Sequence, residues 1–400
     1  MDRSPHISLH LALLFVLLGA ANNASAQRKG PGPVENNLGG PCDTSAWKLV
    51  FHDEFNGTEL DRSKWVTYFT YSADGSDQCP GCRYTGGSNS TYRDEHVRIG
   101  AGKLTLDVVA RTNSWYDVTV EHEAGMIHSI GAAKFNYGRF EIRCKIPSSA
   151  GLWPAFWGFG GETEIDVFEI CGEKPRWMKS SVHHWGKPRA SNTGKHKAQD
   201  LSKDFHDYAV EWEPDQIRFY LDGRQVHARS RLVDPRGRDL PPCDRPPGTH
   251  HTAAYFPKAG DSVNIIASLG VSMPNDYCKG PKKPMPWPDG SALVVDHIRV
   301  YQRKPQNDLR DLCDMPRILS TERNTPIRSG ETMRVTLDGP HGALDWSTAP
   351  GLDIVERNSS GITVRATGER SGLLWIRMES ANDPCPRGAL KLETGVEVLR

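Results

Sequence analysis

The chain has 400 residues, and its 49 Lys and Arg balance 49 Asp and Glu, which excludes a strongly basic nucleic-acid surface or an acidic tail as its main theme. At 37% hydrophobic residues it can bury a sizeable core, while 38 Gly and 28 Pro speak for many short elements rather than a helical bundle. Eleven Trp is a high count that asks for an explanation.

The N-terminus reads as a secretory signal peptide over residues 1–26. Arg3 and His6 precede an apolar run from Leu11 to Ala21, and Ala24-Ser25-Ala26 offers a cleavage site. The run is too short to span a bilayer, which takes about 18 residues or more. The expected location is therefore secreted, periplasmic or cell-surface, with no membrane span. In that setting disulfides are the default for the nine Cys. Cys79-Pro-Gly-Cys82 lies in a Gly/Ser/Asp loop without a helix pattern after it and reads as structural rather than redox-active.

Residues 27–40 form a Gly/Pro/Asn linker, and 41–303 follow as one region of short alternating runs. Lys103-Leu-Thr-Leu-Asp-Val-Val and Arg139-Phe-Glu-Ile-Arg-Cys-Lys-Ile alternate at period two. Gln216-Ile-Arg-Phe-Tyr-Leu does the same and leads into the hairpin-type turn Asp222-Gly223. Leu293-Val-Val-Asp-His-Ile-Arg-Val-Tyr closes the region, which reads as an all-β sandwich. Residues 186–203 and 231–261 look like long loops. After a charged connector at 304–312, residues 313–400 carry strand patterns spaced as in a small Ig-like sandwich. Cys313 and Cys385 bracket it, so a bridge between them is expected.

Most of the functional information lies in Gly151-Leu-Trp-Pro-Ala-Phe-Trp and the following Glu164-Ile-Asp-Val-Phe-Glu169. On a strand Glu164 and Asp166 share one face while Ile165 and Val167 enter the core. Glu169 would fall on the wrong face unless a one-residue β-bulge near Phe168 returns it. Clustered carboxylates raise at least one pKa, as a general acid at neutral pH requires. A pair about 5–5.5 Å apart defines a retaining glycosidase. Trp153 and Trp157 just upstream are candidate sugar-stacking faces, which accounts for part of the Trp excess.

At these residues the chain resembles glycoside hydrolase family 16. The resemblance runs in order through Phe51-His-Asp-Glu-Phe-Asn-Gly, Val97-Arg-Ile-Gly-Ala-Gly-Lys-Leu, Tyr137-Gly-Arg-Phe-Glu-Ile, the acidic segment, Phe205-His-Asp-Tyr-Ala-Val-Glu-Trp, and Val295-Asp-His-Ile-Arg-Val-Tyr-Gln. It implies an all-β jelly-roll of two curved sheets with a concave glycan cleft. It also implies Glu164 as nucleophile, Asp166 as helper and Glu169 as acid/base, in the bulged subtype similar to laminarinases, lichenases and agarases. Phe168 stands where that subtype usually has Met. His183 or His184 matches a cleft histidine of laminarinase-like members, and Trp185 is a further cleft candidate.

Glu54 and Asp296 match positions that hold a structural calcium in many members. No cofactor is needed for the chemistry. Where the family often has Asn, this chain has Ser268. The expected activity is that of a secreted endo-β-glycanase acting on a β-1,3-glucan or mixed-linkage β-glucan. Agar- or carrageenan-type galactans, transglycosylation, and non-catalytic glycan binding are the alternatives. A net charge of zero suits a neutral polysaccharide better than a sulfated one. The expected partners are that polysaccharide and no nucleic acid, with the chain a monomer. The last 85 or so residues resemble PKD-like or Ig-like modules.

Overall fold

The computed structural model describes residues 40–69, 83–85, 87–115, 118–243, 250–288, 290–305, 317–320, 326–338, 343–380 and 390–399. The expected signal peptide, most of the first linker, Cys79 with Cys82, and Cys313 with Cys385 lie outside the described residues. Among the described residues the only helix is the 3-10 turn Asp94–His96; everything else regular is strand.

Two antiparallel sheets enclose the larger core. One runs, in spatial order, Arg224–Ser230, Gln216–Leu221, His206–Trp212, Gly138–Lys145, Leu293–Gln302, Lys103–Leu106 and Val97–Gly100, with Lys48–Asp53 also paired to Leu293–Gln302. The other runs Ala190–Lys197, Trp177–His184, Thr163–Glu169, Leu152–Gly160, Asn264–Val271 and Met126–His128.

The period-two pattern of Gly138–Lys145 has its expected consequence: Phe140, Ile142 and Cys144 are buried while Arg139, Glu141 and Arg143 are partly exposed. Phe140 and Ile142 from one sheet and Phe156, Ile165, Val167 and Phe168 from the other join a single cluster. Phe168 packs on Tyr208 with ring centroids 4.3 Å apart, and truncating such a ring costs about 3–5 kcal/mol. The expected hairpin turn is present, with Asp222 and Gly223 both at positive φ (49° and 74°).

The expected loop at 186–203 is corrected by the structure. Residues Ala190–Lys197 form a full strand, pairing residue for residue with Trp177–His184. It is the edge of its sheet, and its residues alternate between exposed and half-buried. Its sequence, Ala-Ser-Asn-Thr-Gly-Lys-His-Lys, holds no apolar alternation, so the sequence pattern that marks a core-facing strand is missing. Lysine on an edge strand also discourages pairing with another chain. The described parts of the segment, residues 231–243 and 250–261, are more nearly loop, tied by the short pair Leu232–Val233 and His251–Thr252.

Among the described residues two disulfides join distant segments, Cys42 to Cys243 and Cys171 to Cys278, while Cys144 is a buried free thiol. Toward the C-terminus two further four-stranded sheets share a second core that includes Met333, Val335, Trp346, Val364, Ile376 and Val398 and also takes in Val66, Tyr68 and Ile130. Trp346 is buried in it, so its ring is taken up by packing.

Candidate active site

The acidic strand Thr163–Glu169 lies between Leu152–Gly160 and Trp177–His184. Asp166 faces Trp157 and Phe168 faces Phe156, which leaves Val167 as one extra residue. The register toward Trp177–His184 breaks at the same place, between Asp166 and Glu169. This bulge lies one residue before the expected position and has the expected effect. Ile165, Val167, Phe168 and Ile170 enter the core, while Glu164, Asp166 and Glu169 line one cavity of about 300 Å³.

Each carboxylate has its own partner. The Trp185 indole N–H donates to Glu164 Oε2 at 2.9 Å. His183 Nε2 lies 3.1 Å from Asp166 Oδ2. Lys179 Nζ lies 2.5 Å from Glu169 Oε2. Burial first, then the charge of Asp166, pushes Glu169 up to about 7, against the pull of Lys179. Burial and Asp166 also hold Glu164 well above the usual carboxylate range, opposed by the Trp185 N–H. Burial works against the charged form of His183, but its hydrogen bond to Asp166 and that residue's charge outweigh it and raise the pKa. Near neutral pH the cluster therefore retains a proton, which is the state a general acid needs.

Aromatic groups wall the cavity. Trp157 donates its indole N–H to Ser268 Oγ at 3.3 Å and packs against Phe69 at 5.4 Å. Trp153 meets Tyr277 edge-on at 6.1 Å. Trp185 stacks on His183 at 5.5 Å with 16° between the rings. Ser268, at the position where the sequence departs from the family pattern, thus anchors one of the stacking indoles.

Of the two candidate histidines, the structure brings only His183 into the cavity. His184 is buried and absent from the cavity lining; its Nε2 lies 3.7 Å from Glu162. Strand alternation sends neighbours to opposite faces, so both could not serve. The expected calcium pair, Glu54 and Asp296, lies against cationic side chains. Glu54 accepts two hydrogen bonds from Arg299, at 2.9 and 2.7 Å, and Asp296 pairs with Lys103 at 2.7 Å. Their side-chain oxygens are already matched by cationic side chains, so this pair does not fit the oxygen-rich donor set that Ca²⁺ needs. Among the described residues, the group of side chains whose ligand-type atoms converge is Glu164, Asp166 and His183, within 4.8 Å of one another.

Lys179 and Tyr277 escaped the sequence reading. Lys179 is four residues before His183 on the same strand, so period two from that histidine could have found it. Tyr277 comes from an irregular segment without a pattern and is held beside the cleft by the neighbouring Cys171–Cys278 bridge, which spans 107 residues.

A family model described as Glycosyl hydrolases family 16 matches residues 85–242. The chain is 28% identical over 310 residues to Glucan endo-1,3-beta-glucosidase A1 of Niallia circulans, covering 72% of this chain and 43% of that protein. It thus spans less than half the length of that relative. It is 30% identical over 279 residues to a Beta-glucanase of Rhodothermus marinus, covering 64% of this chain and 85% of the relative. A solved structure, the catalytic domain of an endo-1,3-beta-glucanase (laminarinase) from Thermotoga petrophila RKU-1, aligns with a TM-score of 0.49 at 23% identity, over 65% of this chain and 100% of that one.

Proposed function

The chain belongs to glycosyl hydrolases family 16, and on that premise we propose that it is a retaining endo-β-glycanase cleaving internal bonds of a β-1,3-glucan or a mixed-linkage β-glucan. The observation that carries the reading is the bulge at Val167, which puts Glu164, Asp166 and Glu169 on one cavity wall among Trp153, Trp157 and Trp185.

In the first step the Glu164 carboxylate attacks the anomeric carbon while Glu169 gives its proton to the departing glycosidic oxygen. A glycosyl ester on Glu164 and a shortened chain with a free hydroxyl result. In the second step Glu169, now ionised, takes a proton from water, and that water displaces Glu164 from the sugar with a second inversion. Asp166 lies between the two and carries the hydrogen bond to His183. Its charge favours the protonated form of Glu169 before the first step.

The proposal includes action outside the cytosol after loss of the leader at 1–26, a setting that suits the two disulfides. It also includes a separate Ig-like or PKD-like module from residue 313 onward. The test is a pair of variants assayed on laminarin. Glu164→Gln should abolish release of reducing ends while leaving the fold intact. Glu169→Ala should regain turnover of an activated glucoside with azide, and full activity in Glu164→Gln would refute the assignment.

A further inference from the structure

Beside the cleft that holds the carboxylates lies a second cavity of about 270 Å³, lined by Lys174, Trp177, Lys179, Lys195, Tyr277 and Cys171 among others. Lys179 and Tyr277, with the ammonium 4.4 Å from the ring centroid, line both spaces, so the two adjoin at this pair. Trp177 is 43% exposed, unusual for so large an apolar side chain, with Lys197 Nζ 5.6 Å from its ring centroid.

Strand register explains the concentration of cations. Trp177, Lys179, Ser181 and His183 alternate onto the cleft face, and their partners on the edge strand are Lys197, Lys195, Thr193 and Ser191. The 3.1 Å contact between the Ser181 and Thr193 hydroxyls fixes that the partners face the same side. Lys179 and Lys195 therefore sit directly opposite each other, an arrangement of like charges that destabilises a sheet. Glu169 lies against Lys179 and offsets its charge only when ionised. Among the described residues no carboxylate lies within ion-pair distance of Lys174, Lys195 or Lys197.

We propose that this Trp177–lysine shelf is a subsite for an anionic sugar unit, one bearing a carboxylate or sulfate, so that the enzyme acts on acidic or acid-substituted β-glucans. The exposed indole supplies a stacking face for the ring, and the lysines supply the counter-charge for its substituent. A neutral glucan makes no use of three uncompensated ammonium groups. Guarding a sheet edge explains lysines there, yet requires neither an exposed tryptophan nor a cavity adjoining the cleft. The chain's zero net charge means that attraction for a polyanion must come from a local surface of this kind.

The inference rests on the glucanase reading of the same cleft, so its test reads binding apart from turnover. The full chain carrying Glu164→Gln is titrated calorimetrically with unmodified, carboxymethylated and sulfated laminarin. The acidic polymers should bind more tightly, and the better of the two identifies the substituent. Adding Lys195→Gln with Lys197→Gln should weaken their binding about fivefold relative to unmodified laminarin. Adding Trp177→Ala instead should weaken all three. The preference for the acidic polymers should vanish in about 1 M salt, where charges are screened beyond about 3 Å. Equal affinity for the three polymers, or a preference indifferent to the two lysines, would overturn the subsite. Failure of the parent enzyme to cleave any of the polymers would instead count against the glucanase reading alone.

Discussion

Lys179 Nζ sits 2.5 Å from Glu169 Oε2, so the residue proposed as acid/base is buried against a cation on the neighbouring strand. Burial and Asp166 raise Glu169 to about 7, and Lys179 restrains the rise. A general acid works while protonated, so kcat/KM should fall as pH rises through that value. Lys179→Met removes the restraint and should move the alkaline limb of the pH profile upward. Lys179→Arg should return it toward the parent position. An alkaline limb indifferent to both variants would mean that Glu169 is not the group titrating there.

Trp185 bears on the other end of the cluster. Its N–H at 2.9 Å favours the ionised form of Glu164, the form that attacks carbon. Trp185→Phe keeps a ring against His183 but deletes the donor. Hydrogen bonds to charged groups contribute about 1.5–3 kcal/mol, so kcat/KM should drop by about tenfold to a hundredfold. The acid limb should move to higher pH, because Glu164 then ionises less readily. A pH–rate profile on laminarin measures both effects.

The Cys171–Cys278 bridge closes a loop of 107 residues next to Tyr277. Replacing both cysteines with serine should cost about 2–5 kcal/mol of stability, read as a lower Tm. KM should rise as well, because Tyr277 then loses the tether that holds it at the cleft. A stability loss without any change in KM would show that Tyr277 is placed independently of the bridge.

Acid sensitivity should come in part from His128. Full burial depresses its pKa from 6.5 to about 3, although its Nδ1 lies 3.3 Å from the Tyr68 carbonyl. A depressed pKa means that the unfolded chain binds the proton more readily. Its contribution to stability is thus complete above pH 6.5 and drains away as pH falls toward 3, by about 1.4 kcal/mol per pH unit. His128→Asn keeps a donor for the carbonyl and cannot titrate. Its unfolding free energy, followed by urea titration between pH 6 and 4, should fall less steeply than that of the parent.

Much of this architecture is legible in the chain itself, for identifiable reasons. Gly138–Lys145 announces its strand because one face is apolar and the other charged. The bulge follows from requiring Glu169 on the face of Glu164, and only its position, at Val167, needs the register. Ala190–Lys197 is illegible because an edge strand exposed to solvent has no apolar face to alternate. His183 and His184 look alike in a list of residues and are separated only by which of them shares the face of the acids. Glu54 and Asp296 invite a cation, and the sequence cannot show that Arg299 and Lys103 already provide one each. Pairings between distant segments, such as Cys171 with Cys278, arise from the fold and leave no local trace.

The central claim is that Glu164 becomes covalently bonded to the sugar. An activated laminari-oligosaccharide fluorinated beside the anomeric carbon slows the second step more than the first and lets the ester accumulate. Mass spectrometry of the digested protein should then find one glycosyl unit on the peptide containing Glu164. A label on Glu169 instead, or no label together with a product of inverted configuration, would contradict the account.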